Sequence, residues 1–180
     1  GALLDAGATV VGLDLPGVAL PVPFQELQQC WSGRLHLLRA DVLDRPSLER
    51  ARRECADVVG DPDILVNNAG IDQPPGVTQT YRTEDVPPDA FRRVLDVNVI
   101  GAFQVIQVFA PAMIDSRRGS IINIGSLYAS VSPDARLYDH LETDPPFLKP
   151  PAYGASKAAL VNLTRYLATH WGPSGVRVNA

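Results

Sequence analysis

Short, almost wholly apolar runs recur along this chain, and each gives way to a polar residue and then to a longer stretch with helical spacing. Thr9–Leu13 runs into Asp14, Arg34–Arg39 into Ala40-Asp41-Val42, and Asp63–Val66 into Asn67-Asn68-Ala69-Gly70. Ser120–Ile124 likewise closes on Gly125-Ser126, and Val176–Asn179 opens one more run. Runs of this length rich in Val, Ile and Leu predict strands. The stretches between them predict helices over Phe24–Trp31, Leu48–Val59 and Asp89–Ser116, and from Pro151 to near Gly172-Pro173. Gly7 suits the end of a leading helix. Pro16, Pro21 and Pro23 predict a loop, as does the polar, Pro-rich 71–86 segment, and 127–150 reads as irregular, with Pro133, Pro145, Pro146 and Pro150. Continuous apolar strands alternating with helices predict an α/β fold, a doubly wound parallel sheet covered on both faces. Ligands of such sheets bind beyond the carboxyl ends of the strands. Those ends here carry Asp14, Asp41, Asn67 and Ser126.

Composition narrows the picture. The chain has 180 residues, 46% hydrophobic and 20% charged, which fits a single globular domain over 1–180 with a real core. A net charge of −4 gives no footprint for nucleic acid or an anionic membrane. Cys30 and Cys55 are too few for a disulfide framework and lack metal-ligand spacing, so no metal is expected. The apolar stretch Val94–Ile114 contains Asp96, Asn98, Gln104 and Gln107, which predicts a core helix and not a membrane span. No signal peptide is visible, so a cytoplasmic location is expected. The chain starts without Met and stops within a strand-like run, as an internal piece of a larger domain would.

Tyr153 and Lys157 stand four apart at the head of the last helix, which puts them on one helix face. A phenol with a pKa near ~10 is a poor proton donor or acceptor at neutral pH, and a neighbouring ammonium favours its anion. The pair therefore has the makings of a general acid/base. Six landmarks now stand in order: Asp14; Asp41-Val42; Asn67-Asn68-Ala69-Gly70; Asn98-Val99-Ile100-Gly101-Ala102-Phe103; Ile124-Gly125-Ser126; and Tyr153-x-x-x-Lys157. Together they resemble the short-chain dehydrogenase/reductase family, over essentially the whole chain.

The resemblance implies a Rossmann-like domain, incomplete at both ends, since the family's glycine-rich turn would lie upstream of Gly1 and its substrate-closing loop beyond Ala180. It implies catalysis by Asn98, Ser126, Tyr153 and Lys157. Tyr153 would exchange a proton with a substrate hydroxyl or carbonyl while hydride passes to or from nicotinamide. Ser126 would hold the same oxygen, and Lys157 would lower the phenol pKa and bind the nicotinamide ribose. Asn98 would place a relay water through its backbone carbonyl. Asp14 would accept the adenosine ribose hydroxyls and repel a 2′-phosphate, and Leu15-Pro16-Gly17-Val18 supplies no cation for one, so NAD is expected over NADP. Asp41 and Val42 would border the adenine. Asn67, Ala69 and Gly70 would bring backbone close to the cofactor, with some Asn groups bracing the sheet instead.

Residues 127–152 separate Ser126 from Tyr153, a longer interval than the family usually has. The 127–150 insert holds Tyr128, Arg136, Tyr138, Asp139, His140 and Lys149, and its polarity suggests a hydroxyl-rich or anionic small-molecule substrate, such as a sugar derivative, or else a surface loop. His140 is the next candidate acid. Apolar residues Phe103, Val105, Ile106, Val108 and Phe109, with Leu160, Val161, Leu163 and Leu167, exceed one sheet-facing stripe. With the resemblance, this predicts a homodimer or homotetramer of the full-length protein. Two alternatives are an extended-type sugar-nucleotide epimerase or dehydratase and a non-catalytic dinucleotide-binding module.

Overall fold

The computed structural model describes residues 1–73, 81–141, 144, 147 and 149–180. The backbone gathers into two compact units, Gly1–Pro62 and Asp63–Ala180, each with its own parallel sheet. Pro62, between Asp61 and Asp63, is the dividing residue, with no flexible linker in the sequence to announce it.

The first unit comprises α1 (Ala2–Asp5), β1 (Val10–Asp14), α2 (Val22–Cys30), β2 (Leu35–Arg39) and α3 (Arg45–Val59). Gly7 turns the chain out of α1 with a φ of 92°, a conformation glycine takes at no steric cost. β1 and β2 pair in parallel from Val10 opposite Leu35 to Asp14 opposite Arg39. Leu48, Ala51 and Cys55 make the buried stripe of α3. Burial pushes the Cys55 thiol pKa up, with Asp61 adding to the effect, so it is an inert core group.

The second unit comprises β3 (Ile64–Asn67), α4 (Pro88–Leu95), a π-helical segment (Asp96–Gly101), α5 (Ala102–Asp115), β4 (Gly119–Asn123), α6 (Pro151–Trp171) and β5 (Val176–Asn179). The strands lie in the order β3-β4-β5, all parallel. Leu65, Ile121 and Val178 form one buried row across this sheet, under α5 and α6. Burying each such side chain stabilises by about 1.5–3 kcal/mol. On the opposite face Ile64, Val66, Ile122 and Ile124 stay between 37% and 52% exposed. The pattern of the strands predicts two covered faces; the helices of this unit cover one.

The long helix runs without a break from Pro88 to Asp115, 28 residues, by way of the π segment. Its length and composition would allow it to cross a bilayer, but 56% of its most apolar stretch is buried inside the molecule, as in a core helix. The 127–150 insert holds two short 3-10 turns, Leu127–Ala129 and Ala135–Tyr138. Residues 142, 143, 145, 146 and 148 of the insert, and 74–80 of the expected 71–86 loop, lie outside the described residues.

Candidate active site

Helix α6 opens on Pro151, whose fixed φ suits a first helical position. Tyr153 and Lys157 follow in its first two turns. Lys157 is 6% exposed, and burial lowers its pKa below the ordinary lysine value. Its Nζ donates to the Ile124 carbonyl at 2.6 Å and lies 5.6 Å from the centre of the Tyr153 ring. An ammonium has three donors, and Ile124 is its one hydrogen-bond acceptor among the described residues. Two N–H groups therefore remain for a ligand. The half-buried Tyr153 has no hydrogen-bond partner for its hydroxyl among the described residues.

Ser126 ends the extended stretch after β4, and its Oγ accepts from the Tyr128 N–H at 3.2 Å, fixing the turn Leu127–Ala129. Helix α6 comes down on that turn. A Cβ added to Gly154 would lie 3.0 Å from the Tyr128 carbonyl oxygen, so backbone touches backbone there. The fold thus brings the Ser126 turn, Tyr153 and Lys157 into one cluster.

Asn98, 1% exposed, sits inside the π segment. π turns recur at functional sites. Its Oδ1 accepts from the Ile71 N–H at 2.7 Å, and its Nδ2 donates to the Ile71 carbonyl at 2.8 Å and to Ser156 Oγ at 2.9 Å. Ser156 Oγ in turn donates to the Tyr153 carbonyl at 2.7 Å. The Asn98 side chain is therefore a clamp that joins the chain after Gly70 to α6. Gly70 lies against this clamp: a Cβ there would stand 3.2 Å from Asn98 Oδ1 and 3.8 Å from Lys157 Nζ. Ala69 beside it is exposed. Asn67 is engaged elsewhere. Its Nδ2 donates to Asn123 Oδ1 at 2.8 Å, and Asn123 Nδ2 donates to Thr164 Oγ1 at 2.8 Å. Its amide nitrogen thus braces β3 and, through Asn123, β4 and α6.

In the first unit Asp14 ends β1 with Oδ1 accepting from the Leu15 N–H at 2.8 Å. Arg39, closing β2, brings Nη1 to 4.0 Å from Asp14 Oδ2 and donates to the Leu15 carbonyl at 2.8 Å. Reading only the residues that follow Asp14 misses this cation, because parallel pairing delivers it from the next strand. Asp41 builds the turn into α3: its Oδ1 accepts from the Leu43 N–H at 2.8 Å, and Ser47 Oγ accepts from the Asp41 N–H at 3.0 Å. Val42 is half-buried beside it.

The insert folds back on the Ser126 turn. The hydroxyls of Tyr128 and Tyr138 meet at 3.1 Å, and the Tyr138 and Phe147 rings pack at 4.9 Å. The shared hydrogen bond is the main cause of a raised Tyr128 pKa. Lys149 pairs with Asp72 and places Nζ 5.4 Å from the centre of the Tyr153 ring. Neither Asp72 nor this pairing carries a sequence signal, since the two lie far apart along the chain. His140 is exposed. A cavity of about 560 Å³ is lined by Asn162, Arg165, Tyr166, Thr169 and His170 of α6 and includes none of the candidate residues.

Comparison with known proteins identifies the family. The family model for short chain dehydrogenase matches residues 1–138, and that for enoyl-(acyl carrier protein) reductase matches residues 144–180. The chain is 34% identical to a galactitol 2-dehydrogenase (L-tagatose-forming) of Cereibacter sphaeroides, covering 99% of this chain and 62% of that protein. It is 30% identical to an NAD-dependent glycerol dehydrogenase of Listeria innocua, covering 98% of this chain and 60% of that one. An NADPH-bound short chain oxidoreductase of Pseudomonas aeruginosa PAO1 superposes with a TM-score of 0.78 at 28% identity, over 99% of this chain and 62% of that one. The chain spans about half to three fifths of the length of the curated relatives it matches. With a family model matching residues 1–138, most of its length, the chain belongs to the short-chain dehydrogenase family.

Proposed function

We propose that the full-length protein carrying this chain transfers hydride between NAD(H) and a secondary alcohol or ketone, with Tyr153 as the general acid/base. The observation that carries this reading is the buried Lys157 ammonium, fixed by the Ile124 carbonyl at 5.6 Å from the Tyr153 ring. A desolvated cation beside a phenol hydroxyl with no partner among the described residues is an arrangement suited to proton exchange.

The residues present fit a dinucleotide. Lys157 keeps two donors for ribose hydroxyls, and Gly70 leaves the backbone open beside it. Bound NAD supplies the hydride acceptor for alcohol oxidation. In that direction the Tyr153 oxygen takes the hydroxyl proton as hydride leaves the carbinol carbon, and a ketone remains. Ser126 Oγ donates to the same substrate oxygen, which orients it. Asn98 holds the backbone after Gly70 in place, and its own backbone carbonyl remains the proposed seat of a relay water. By the family resemblance, Asp14 would accept the adenosine ribose hydroxyls, Asp41 and Val42 would border the adenine, and Ala69 and Gly70 would bring backbone close to the cofactor.

NAD is the proposed partner because the Asp14 carboxylate, half exposed at the end of β1, repels a 2′-phosphate more directly than Arg39, held against it, attracts one. The test is an assay of the full-length protein with NAD or NADP and a panel of secondary alcohols, following nicotinamide reduction. Turnover with NAD favoured by on the order of tenfold, about 1.4 kcal/mol, is expected. Absence of turnover with every alcohol and ketone tried would reject the reading.

A further inference from the structure

The 127–150 insert carries the cations Arg136 and Lys149, and each is answered by a carboxylate. Arg136 is held by Asp134 of its own turn, with its side chain 86% exposed, and an ion pair so open to water contributes little. Lys149 is held by Asp72 from the chain after β3, and its side chain is only 19% exposed. This second pair stands at the candidate chemistry. Lys149 Nζ lies over the Tyr153 ring, 5.4 Å from its centre, and Lys157 Nζ lies 5.6 Å from the same centre.

The pair is fixed at both ends. Lys149 precedes the Pro150-Pro151 entry to α6, where the Tyr153 N–H donates to the Pro150 carbonyl at 3.3 Å. Asp72 follows Ile71, whose backbone is clamped by Asn98 at 2.7 and 2.8 Å. Asp72 Oδ2 takes the Lys149 ammonium, while Oδ1 is shut away from water and has no hydrogen-bond partner. Among the described residues Lys149 is thus the only hydrogen-bond donor to this carboxylate. The fields of both groups also reach a second phenol. The Tyr128 pKa is raised chiefly by its hydrogen bond to Tyr138, with Lys149 pulling against the rise and Asp72 adding to it.

A nearby cation favours the anion of a phenol, and a nearby carboxylate disfavours it. We propose that Asp72 and Lys149 are a charge-balanced positioning pair for Tyr153. Lys149 seats a second ammonium on the ring, and Asp72 holds that ammonium in place and offsets its charge. Together they set the pH range in which Tyr153 can take a proton from an alcohol. The inference rests on the oxidoreductase reading above for the part Tyr153 plays. The charged and titratable groups that the surrounding elements bring to this corner are Lys157 on α6, Lys149 with the Tyr128–Tyr138 hydroxyl pair from the insert, and Asp72 from the chain after β3. Removing one member of the pair leaves the other uncompensated, so the two removals act on Tyr153 with opposite sign.

The test uses the full-length protein and two readouts. One is NMR titration of the tyrosine ring signals after isotopic labelling at Cζ, with the Tyr153 signal assigned by its loss in Tyr153→Phe. The other is kcat/KM against pH for oxidation of butan-2-ol with NAD, which reports ionisation in the free enzyme. Oxidation needs the phenolate, so kcat/KM should rise with pH through the Tyr153 midpoint. Lys149→Met removes the cation and leaves Asp72, and the midpoint should rise by about one pH unit. Asp72→Asn keeps an acceptor for Lys149 and removes the anion, and the midpoint should fall by a similar amount. Lys149→Arg keeps the charge and should stay near the parent. A pair that only latched the insert would be loosened by either removal, so an unmoved Tyr153 signal, or shifts in one direction for both, would overturn the proposal. A kcat/KM limb that stayed in place while the signal moved would overturn the pair's part in the reaction. Failure of the oxidoreductase reading looks different: no turnover of the alcohol. The NMR midpoints then decide the pair alone, which stands on opposite shifts and falls on any other result.

Discussion

Lys157 shows what one residue contributes and what it costs. Burial opposes its charge and a single carbonyl partly compensates, so the folded-state pKa lies below the unfolded value. Below the folded pKa the group is charged in both states, and the native state carries the full desolvation penalty. As pH rises from the folded pKa to the unfolded one the penalty is relieved. Lys157→Met, which keeps the volume and removes the charge, should therefore raise the unfolding midpoint near neutral pH, by about 2–4 °C per kcal/mol relieved for a domain of this size. That gain should shrink as pH climbs through the lysine range, while turnover and cofactor affinity are lost. A variant less stable than the parent at pH 7 would contradict this account of the site. Asp14 can be weighed in the same way, now with Arg39 at 4.0 Å. Asp14→Ala should remove the repulsion and free the guanidinium, so the preference for NAD over NADP should fall by more than loss of the carboxylate alone gives. Adding Arg39→Ala should restore part of the preference, as read from kcat/KM with each cofactor. The Tyr153–Lys157 spacing was legible in the sequence because a helix fixes what lies one turn away. Arg39 and the Ile124 carbonyl were not, since strand register and backbone acceptors leave no mark on local pattern.

At the scale of elements, the alternation of apolar runs and helical stretches was enough to place all five strands within a residue or two. It did not reveal the π segment, because apolar spacing over Val94–Ile114 reads equally well as an unbroken α-helix. Nor did it show that Asn98 would clamp Ile71, a contact made across the chain. The strand pattern also predicted two covered faces, and the helices of the second unit cover one, since continuous apolar runs say that both faces are fit for burial without saying what lies on each. The meeting of α6 with the Ser126 turn depends on Gly154, where an added Cβ would press on the Tyr128 carbonyl at 3.0 Å. Gly154→Ala should push the two elements apart. Overpacking of this kind costs about 1–3 kcal/mol, so the midpoint should drop by several degrees, and turnover should fall more than cofactor affinity as Ser126 and Tyr153 lose their common target. A variant with parent-like stability and turnover would show that the contact does not set the geometry.

For the whole molecule, self-association is a proposal that the structure narrows. Val105, Ile106, Val108 and Phe109 of α5 are already buried within the chain, and Phe103 is half-buried. On α6, Tyr166, 63% exposed, stacks on His170 at 5.8 Å, and both line the 560 Å³ cavity. Light scattering of the full-length protein should give a dimer or tetramer, and Tyr166→Asp should shift it toward monomer; a monomeric parent would set the proposal aside. The central claim is that Tyr153 moves the proton in a hydride transfer. Its most direct test is turnover by full-length Tyr153→Phe, a change that keeps the ring between Lys149 and Lys157 and removes the titrating oxygen. Turnover should fall by a factor on the order of 10² to 10⁴ with cofactor affinity nearly intact, whereas a variant retaining more than about half of the parent turnover would contradict the account, because a general acid/base lost in full cannot leave the rate within twofold.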